Sequence, residues 1–172
     1  MKTLKLISIV IISLFVFTSC DEEDTIIDIN TSFSKQVNLV TAASSDVTVS
    51  YEIDFSDNTD LDEYLNRVNG VTINAIKYTI ISFTGSNTIH GHFTLLSEGE
   101  TFGPYDHNSI LNDAQSQEIF TINDVSKLSV LANKLKNTKK LDVSFKGLVD
   151  DFNTQTTVIK VDFDLTVAVQ AL

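Results

Sequence analysis

From Val47 to Phe55 the chain alternates strictly. Val47, Val49, Tyr51, Ile53 and Phe55 are apolar, and Thr48, Ser50, Glu52 and Asp54 between them are polar. A two-residue period sends successive side chains to opposite faces, so this stretch predicts a strand with one wet face. The same period recurs near the carboxyl end, where Ile159, Val161, Phe163, Leu165, Val167 and Val169 alternate with Lys160, Asp162, Asp164 and Thr166. Phe33 to Thr41, Ile89 to Leu96 and Leu141 to Asp150 carry shorter versions of it. Val71 to Thr84 is rich in β-formers, but its alternation changes phase near Ala75-Ile76, which predicts a bulge or burial on both faces. Gly85-Ser86-Asn87 reads as the turn that joins this run to Ile89 in a hairpin. Glu118 to Ile122 reads as a brief further strand.

Two segments change period. Between Ser56 and Gly70, Leu61, Tyr64, Leu65 and Val68 fit the stripe of a short helix, with Asp57, Asn58 or Thr59 as its cap and Gly70 just past its end. From Asn123 to about Asn137, Val125, Leu128, Leu131, Ala132 and Leu135 share one helical face. Ser97 to Gln117 follows neither period. Its Gly99, Gly103-Pro104 and scattered Asn and Asp read as a long irregular loop. Seven strands and two short helices, without a βαβ rhythm, predict a mainly β domain. The expected architecture is an antiparallel, immunoglobulin-like β-sandwich with one or two short helical connections, and a closed β-barrel is the alternative.

The first two dozen residues belong to a different pattern. Lys2 and Lys5 precede an apolar run from Leu6 to Phe17, and Thr18-Ser19-Cys20 and Asp21-Glu22-Glu23-Asp24 follow it. A basic start before a short apolar run is the pattern of a secretory signal. As a helix the run spans about 18 Å, short of the roughly 30 Å hydrocarbon core of a bilayer. Phe17-Thr18-Ser19-Cys20 resembles the lipobox of bacterial lipoproteins, with Phe17 where Leu is usual. The resemblance implies diacylglyceryl attachment to the Cys20 thiol and cleavage just before it. The chain holds one cysteine, and it stands at this position. The acidic run after it resembles the export signal of surface lipoproteins of the Bacteroidetes, and it also fits a solvated spacer. The expected organisation is a cleaved signal peptide at 1–19, a lipidated acidic tether at 20–31 and a single β-rich domain at 32–172.

Cutting before Cys20 removes 19 of 172 residues and leaves 153, enough for one domain with a core that needs no disulfides. It also removes Lys2 and Lys5, taking the formal charge from −11 to −13. Such a chain is a poor ligand for nucleic acid, whose phosphates need Lys and Arg. It would not lie flat on an anionic bilayer either, so attachment falls to the lipid.

Candidate chemistry is sparse. His90 and His92, two apart on a strand, would share its wet face, and His107 or Asp106 could bring a third ligand for zinc or copper. Structural zinc takes four ligands, so the reading adopted is two exposed histidines and no metal. Asp54 to Glu63 is dense in oxygen but lacks the spacing of an EF-hand, and is read as helix capping. Glu52 with Asp54 and Asp162 with Asp164 are same-face carboxylate pairs of the kind that can serve in glycosidases, here in ordinary outward positions. The G-x-S-x-G, H-E-x-x-H and P-loop patterns are absent. The sequence therefore points to a lipid-anchored envelope protein, not an enzyme and without a cofactor. It would be held to the outer membrane through Cys20, on its periplasmic or surface side, and would bind envelope proteins, glycans or host molecules. An apolar-ligand carrier is the alternative, and a hydrolase stands third.

Overall fold

The computed structural model describes residues 25–42, 46–86, 88–151 and 153–171. The expected signal peptide, Cys20 and the acidic run lie outside the described residues. The alternating stretch at the carboxyl end forms β8, Gln155–Gln170, in which every second side chain from Gln155 to Val169 is buried. It lies between two other 16-residue strands, β1 (Ile26–Thr41) and β3 (Val68–Phe83), and β6 (Ile119–Ile122) completes this first sheet in the order β1-β8-β3-β6. The second sheet has the order β2-β7-β4-β5, from β2 (Val47–Asp54), β4 (Gly91–Ser97), β5 (Glu100–His107) and β7 (Lys140–Val149). Neighbouring strands are antiparallel throughout.

The mainly β sandwich is as the alternation predicts, and the two sheets do not close into a barrel. The strand order is that of an eight-stranded jelly roll, where an immunoglobulin-like order was expected. The chain changes sheet at nearly every connection, because β1, β3, β6 and β8 lie in one sheet and β2, β4, β5 and β7 in the other. The expected hairpin across Gly85 is thus a corner between sheets. The hairpin that does form joins β4 to β5 through Glu98 and Gly99, with φ of 51° and 82°. Two residues at positive φ are what a tight hairpin turn with the right twist requires.

Several expected boundaries move. The tether expected to reach residue 31 ends earlier, because β1 pairs with β8 from Ile26 onward. The expected helix after Ser56 is two 3-10 turns, Phe55–Asp57 and Asp62–Arg67, and Val68 already belongs to β3. Its stripe is too short to close an α-helix, and it sinks Leu61 into the core, with Tyr64 and Leu65 half-buried against it. Asp54, ahead of the expected caps, accepts the Ser56 N–H at 2.8 Å. The expected loop 97–117 holds β5 and helix α1, Ile110–Ser116. Gly103 and Pro104 disguise β5. The strand lies at a sheet edge, where a residue without an N–H is tolerated, and a register shift falls beside it between Phe93 and Leu95. The phase change in β3 is a register shift between Ile73 and Ala75, as the pattern predicts.

β6 pairs with β3 only over Ile76 to Thr79. The helices flank it: α1 lies against β3, and so does α2 (Val125–Thr138), which also reaches β7. Just past α1, the Gln117 side-chain amide donates to the carbonyls of Ile80 and Ile81, both at 3.2 Å, and extends the hydrogen bonding of the β3 edge. Helix α2 begins at its cap Asp124, which accepts the Lys127 N–H, and buries Leu128, Leu131, Ala132 and Leu135. Val125, expected on the same face, is 79% exposed.

Between the sheets the space is filled by Tyr78, Phe55, Phe93, Phe102, Phe145 and Phe163, all buried. Phe93 packs close because β7 offers Gly147 opposite. A Cβ there would stand 2.8 Å from Leu39 and 3.0 Å from the Phe93 ring. Truncating Phe163, which is 1% exposed on the central strand, removes a ring that its neighbours cannot replace. Phe163→Ala is expected to lower the unfolding free energy by about 3–5 kcal/mol, measured by urea denaturation.

Candidate functional site

The three histidines separate across one sheet. Gly91 pairs with His107, and His92 with Asp106. His107 therefore shares the inner face with Gly91 and is 3% exposed, whereas His92, in alternation with buried Gly91 and Phe93, points to the outer face. His90 is exposed just before β4. His107 cannot join the other two around a metal, because the thickness of the sheet lies between them. Among the described residues, no group of three or more His, Cys, Asp or Glu gathers as a metal site.

His107 has other partners. Its Nδ1 is 2.7 Å from Asp113 Oδ2, and its Nε2 is 3.0 Å from the Tyr78 hydroxyl. Asp113 is a carboxylate and only accepts, so Nδ1 carries the proton. In the neutral ring Nε2 then accepts, and Tyr78 donates to it. The chain links β3 in one sheet, β5 in the other and helix α1. Rings enclose it: Phe120 stands edge-on to the imidazole at 4.6 Å, and Phe93 lies tilted at 5.0 Å. Burial pushes the Tyr78 hydroxyl well above the ordinary phenol pKa, and Tyr105, Asp113 and Glu118 add to the shift. The order Tyr–His–Asp resembles an activated-nucleophile arrangement, but Tyr78 is 1% exposed and offers no surface to a substrate. Its work is to satisfy the buried Tyr78 hydroxyl and His107 ring, with half-buried Asp113 closing the chain, while joining the sheets.

The outward carboxylate pairs are held by lysines. Lys140 Nζ lies 2.7 Å from Asp54 and 2.8 Å from Glu52. The Lys140 hydrogen bond, followed by the Ser56 N–H and hydroxyl, holds the Asp54 carboxyl down at about 2. Asp164 pairs with Lys77 at 2.6 Å, and Asp162 with Lys160 at 2.9 Å. Neither pair stands in an enclosed, water-poor setting of the kind that prepares a general acid.

Concavities also lie among the described residues. One is a groove of about 360 Å³ between β3 and α2, lined by Val71, Ile73, Val125, Leu128 and Ala132 among others. The larger, of about 690 Å³, is an open polar depression. Its floor is the outer face of the first sheet: Asn30 and Ser32 of β1, Asp164 of β8 and Asn74 of β3. Its wall is the loop 57–60. Thr166 Oγ1 donates to Asn30 Oδ1 at 2.8 Å and accepts from Asn74 Nδ2 at 3.0 Å, tying three strands together. Asn58 fastens the wall. Its Nδ2 donates to Thr31 Oγ1 at 2.8 Å, and its Oδ1 accepts the Asp60 N–H at 2.9 Å. The oxygen-rich stretch Asp54–Glu63 thus supplies turn capping and this wall. None of Asn30, Ser32 or Asn74 stands out in the sequence. Each is an ordinary wet-face residue until strand register brings them together.

No protein-family model matches the chain, and no curated protein matches it. Solved structures that resemble it include one of Desmodium yellow mottle tymovirus, with 12% identity over 85% of this chain and 84% of the other, TM-score 0.40. A turnip yellow mosaic virus structure matches with 10% identity, coverage of 86% and 96%, and TM-score 0.44. A decameric BFDV capsid protein matches with 10% identity, coverage of 83% and 99%, and TM-score 0.42. Likeness at this level carries no function, ligand or assembly to this chain.

Two measurements check the polar assignments. His107→Ala strands both Tyr78 and Asp113 and is expected to cost about 2–4 kcal/mol by urea denaturation, with Tyr78→Phe costing about 1–2 kcal/mol. In a carboxyl NMR titration Asp54 is expected to have its midpoint near 2, against 3.8 for a free side chain. A lowered carboxylate stabilises the fold above its unfolded pKa. That contribution is full above about pH 4 and lost as pH falls through 2. Lys140→Ala should raise the midpoint but leave it below 3.8, because the Ser56 donors remain.

Proposed function

We propose that this chain is a lipid-anchored cell-envelope protein, held at the outer membrane through lipid on Cys20, whose β-sandwich is a non-enzymatic binding module. The observation that carries the reading is the sequence Phe17-Thr18-Ser19-Cys20 after a short apolar leader, with the chain's one cysteine in the position that takes lipid. The start of the fold agrees with it. Five residues lie between Cys20 and Ile26, the first residue of β1, so an extended link reaches at most about 20 Å. The end of the sandwich where the Ala171 N–H meets the Thr25 carbonyl at 2.7 Å would then face the bilayer. Among the described residues no helix is long and apolar enough to cross a membrane.

The non-enzymatic reading is supported by the lysine-paired outward carboxylates and by the burial of Tyr78 and His107. The apolar-ligand carrier would hold its ligand between sheet and helix, where the groove of about 360 Å³ between β3 and α2 lies, and it stays the second reading. Partners are better sought on the outside of the domain. Cys20→Ala is expected to release the protein from the membrane fraction and to remove the lipid mass from the amino-terminal peptide. A variant that stays membrane-bound without lipid would contradict the anchor. Protease shaving of intact cells should degrade the domain if the acidic run directs export, and should spare it if the run is a spacer.

A further inference from the structure

We infer that the polar depression on the outer face of the first sheet binds a neutral glycan chain directly through hydrogen bonds, without a bridging cation. The inference rests on the binding-module reading and names its ligand class.

Three features argue for it. First, the polar groups are fixed before any ligand arrives. Thr166 takes the Asn30 carbonyl at 2.8 Å and the Asn74 amide at 3.0 Å, so Asn30 turns its NH₂ and Asn74 its carbonyl toward other partners. Both amides converge on the one Thr166 hydroxyl of β8, so the two groups lie side by side on the floor although their strands are not neighbours. A donor and an acceptor set side by side suit the neighbouring hydroxyls of a sugar, each of which both donates and accepts. The wall is fixed too, by the Asn58 bonds to Thr31 and Asp60, and prior fixing lowers the ordering cost of binding.

Second, the charges select. Asp57, Asp60 and Asp164 line the depression. The lysines beside it are engaged, Lys35 with Asp57 at 3.7 Å and Lys77 with Asp164 at 2.6 Å. An acidic polysaccharide would meet carboxylates with no cation left to receive it. The carboxylates do not gather around a point where an ion could bridge them, since among the described residues no such group of three forms.

Third, the depression is open along the sheet face and spans residues of β1, β8 and β3, which admits a chain passing across it. None of its described lining residues is aromatic, so no ring stacks on a sugar face. Single-site binding should therefore be weak, about millimolar, with useful retention arising from many anchored copies on one surface.

The test is affinity electrophoresis of the full-length chain in detergent, with dextran, laminarin, galactomannan and polygalacturonate in the gel. At least one neutral polymer should retard the protein in the presence of EDTA. Asn74→Ala and Asn30→Ala should each weaken retardation about fivefold to tenfold while the domain stays folded by circular dichroism. Ser50→Ala, on the outer face of the other sheet, should retain full retardation. The inference is overturned if no neutral polymer retards the chain, if only polygalacturonate does, if EDTA abolishes the effect, or if both Asn variants bind as well as the parent. Because the assay needs no membrane, a failed glycan test leaves the Cys20 anchor standing, and a failed anchor leaves the glycan result unaffected.

Discussion

The fold depends on β8 being paired along both edges. β1 matches it residue for residue from Ile26↔Gln170 to Thr41↔Gln155, and β3 runs along its other side from Val68↔Val169 to Phe83↔Thr157. The first and last strands of the described chain thus lie side by side, and the sheet cannot be completed until the carboxyl end is in place. Strict alternation fixes the register. A one-residue slip would turn Ile159, Val161, Phe163, Leu165, Val167 and Val169 outward and bring Lys160, Asp162 and Asp164 inward. Pairing between distant parts of the sequence closes large loops, so folding is expected to be slow for a chain of this size.

Inside the sandwich, the Tyr51 and Thr157 hydroxyls are buried without a hydrogen-bond partner among the described residues, whereas Tyr78 and His107 are paired. The Tyr78–His107–Asp113 chain gives both ring nitrogens of the buried imidazole a partner, and so carries hydrogen bonding from one sheet to the other and on to helix α1. Outside, the same strands present carboxylates that lysines hold and amides that a threonine aligns. The domain therefore divides its chemistry by face: the inner one is sealed, and the outer one is set out in order and open to a partner.

Much of this architecture is legible in the residues. The alternation of β2 and β8, the phase change in β3 and the buried stripe of α2 follow from side-chain period alone. What is hidden has local causes. Pro104 and Gly103 hide an edge strand, and Glu98 in the first left-handed position hides the hairpin turn. Asp28 and Asn30 make the start of β1 resemble a tether until β8 pairs with it. The immunoglobulin expectation fails because strand order depends on which sheet each connection enters, which a two-residue period does not encode. The candidate site is less legible still. His107 finds its partner Tyr78 29 residues away. Asn30, Asn74 and Thr166 meet only through register across three strands.

If the amino-terminal cysteine holds the chain at the membrane, the ordered outer face of the first sheet is what the anchored domain offers to its surroundings. The most direct test is to follow the side-chain amide NMR signals of Asn30, Asn58 and Asn74 while a neutral oligosaccharide is added to the full chain in detergent. The account predicts that these three shift together and saturate, while Asn133, beside the β3–α2 groove, stays fixed. Shifts confined to Asn133, or no shift at Asn30 and Asn74 at saturating sugar, would contradict it.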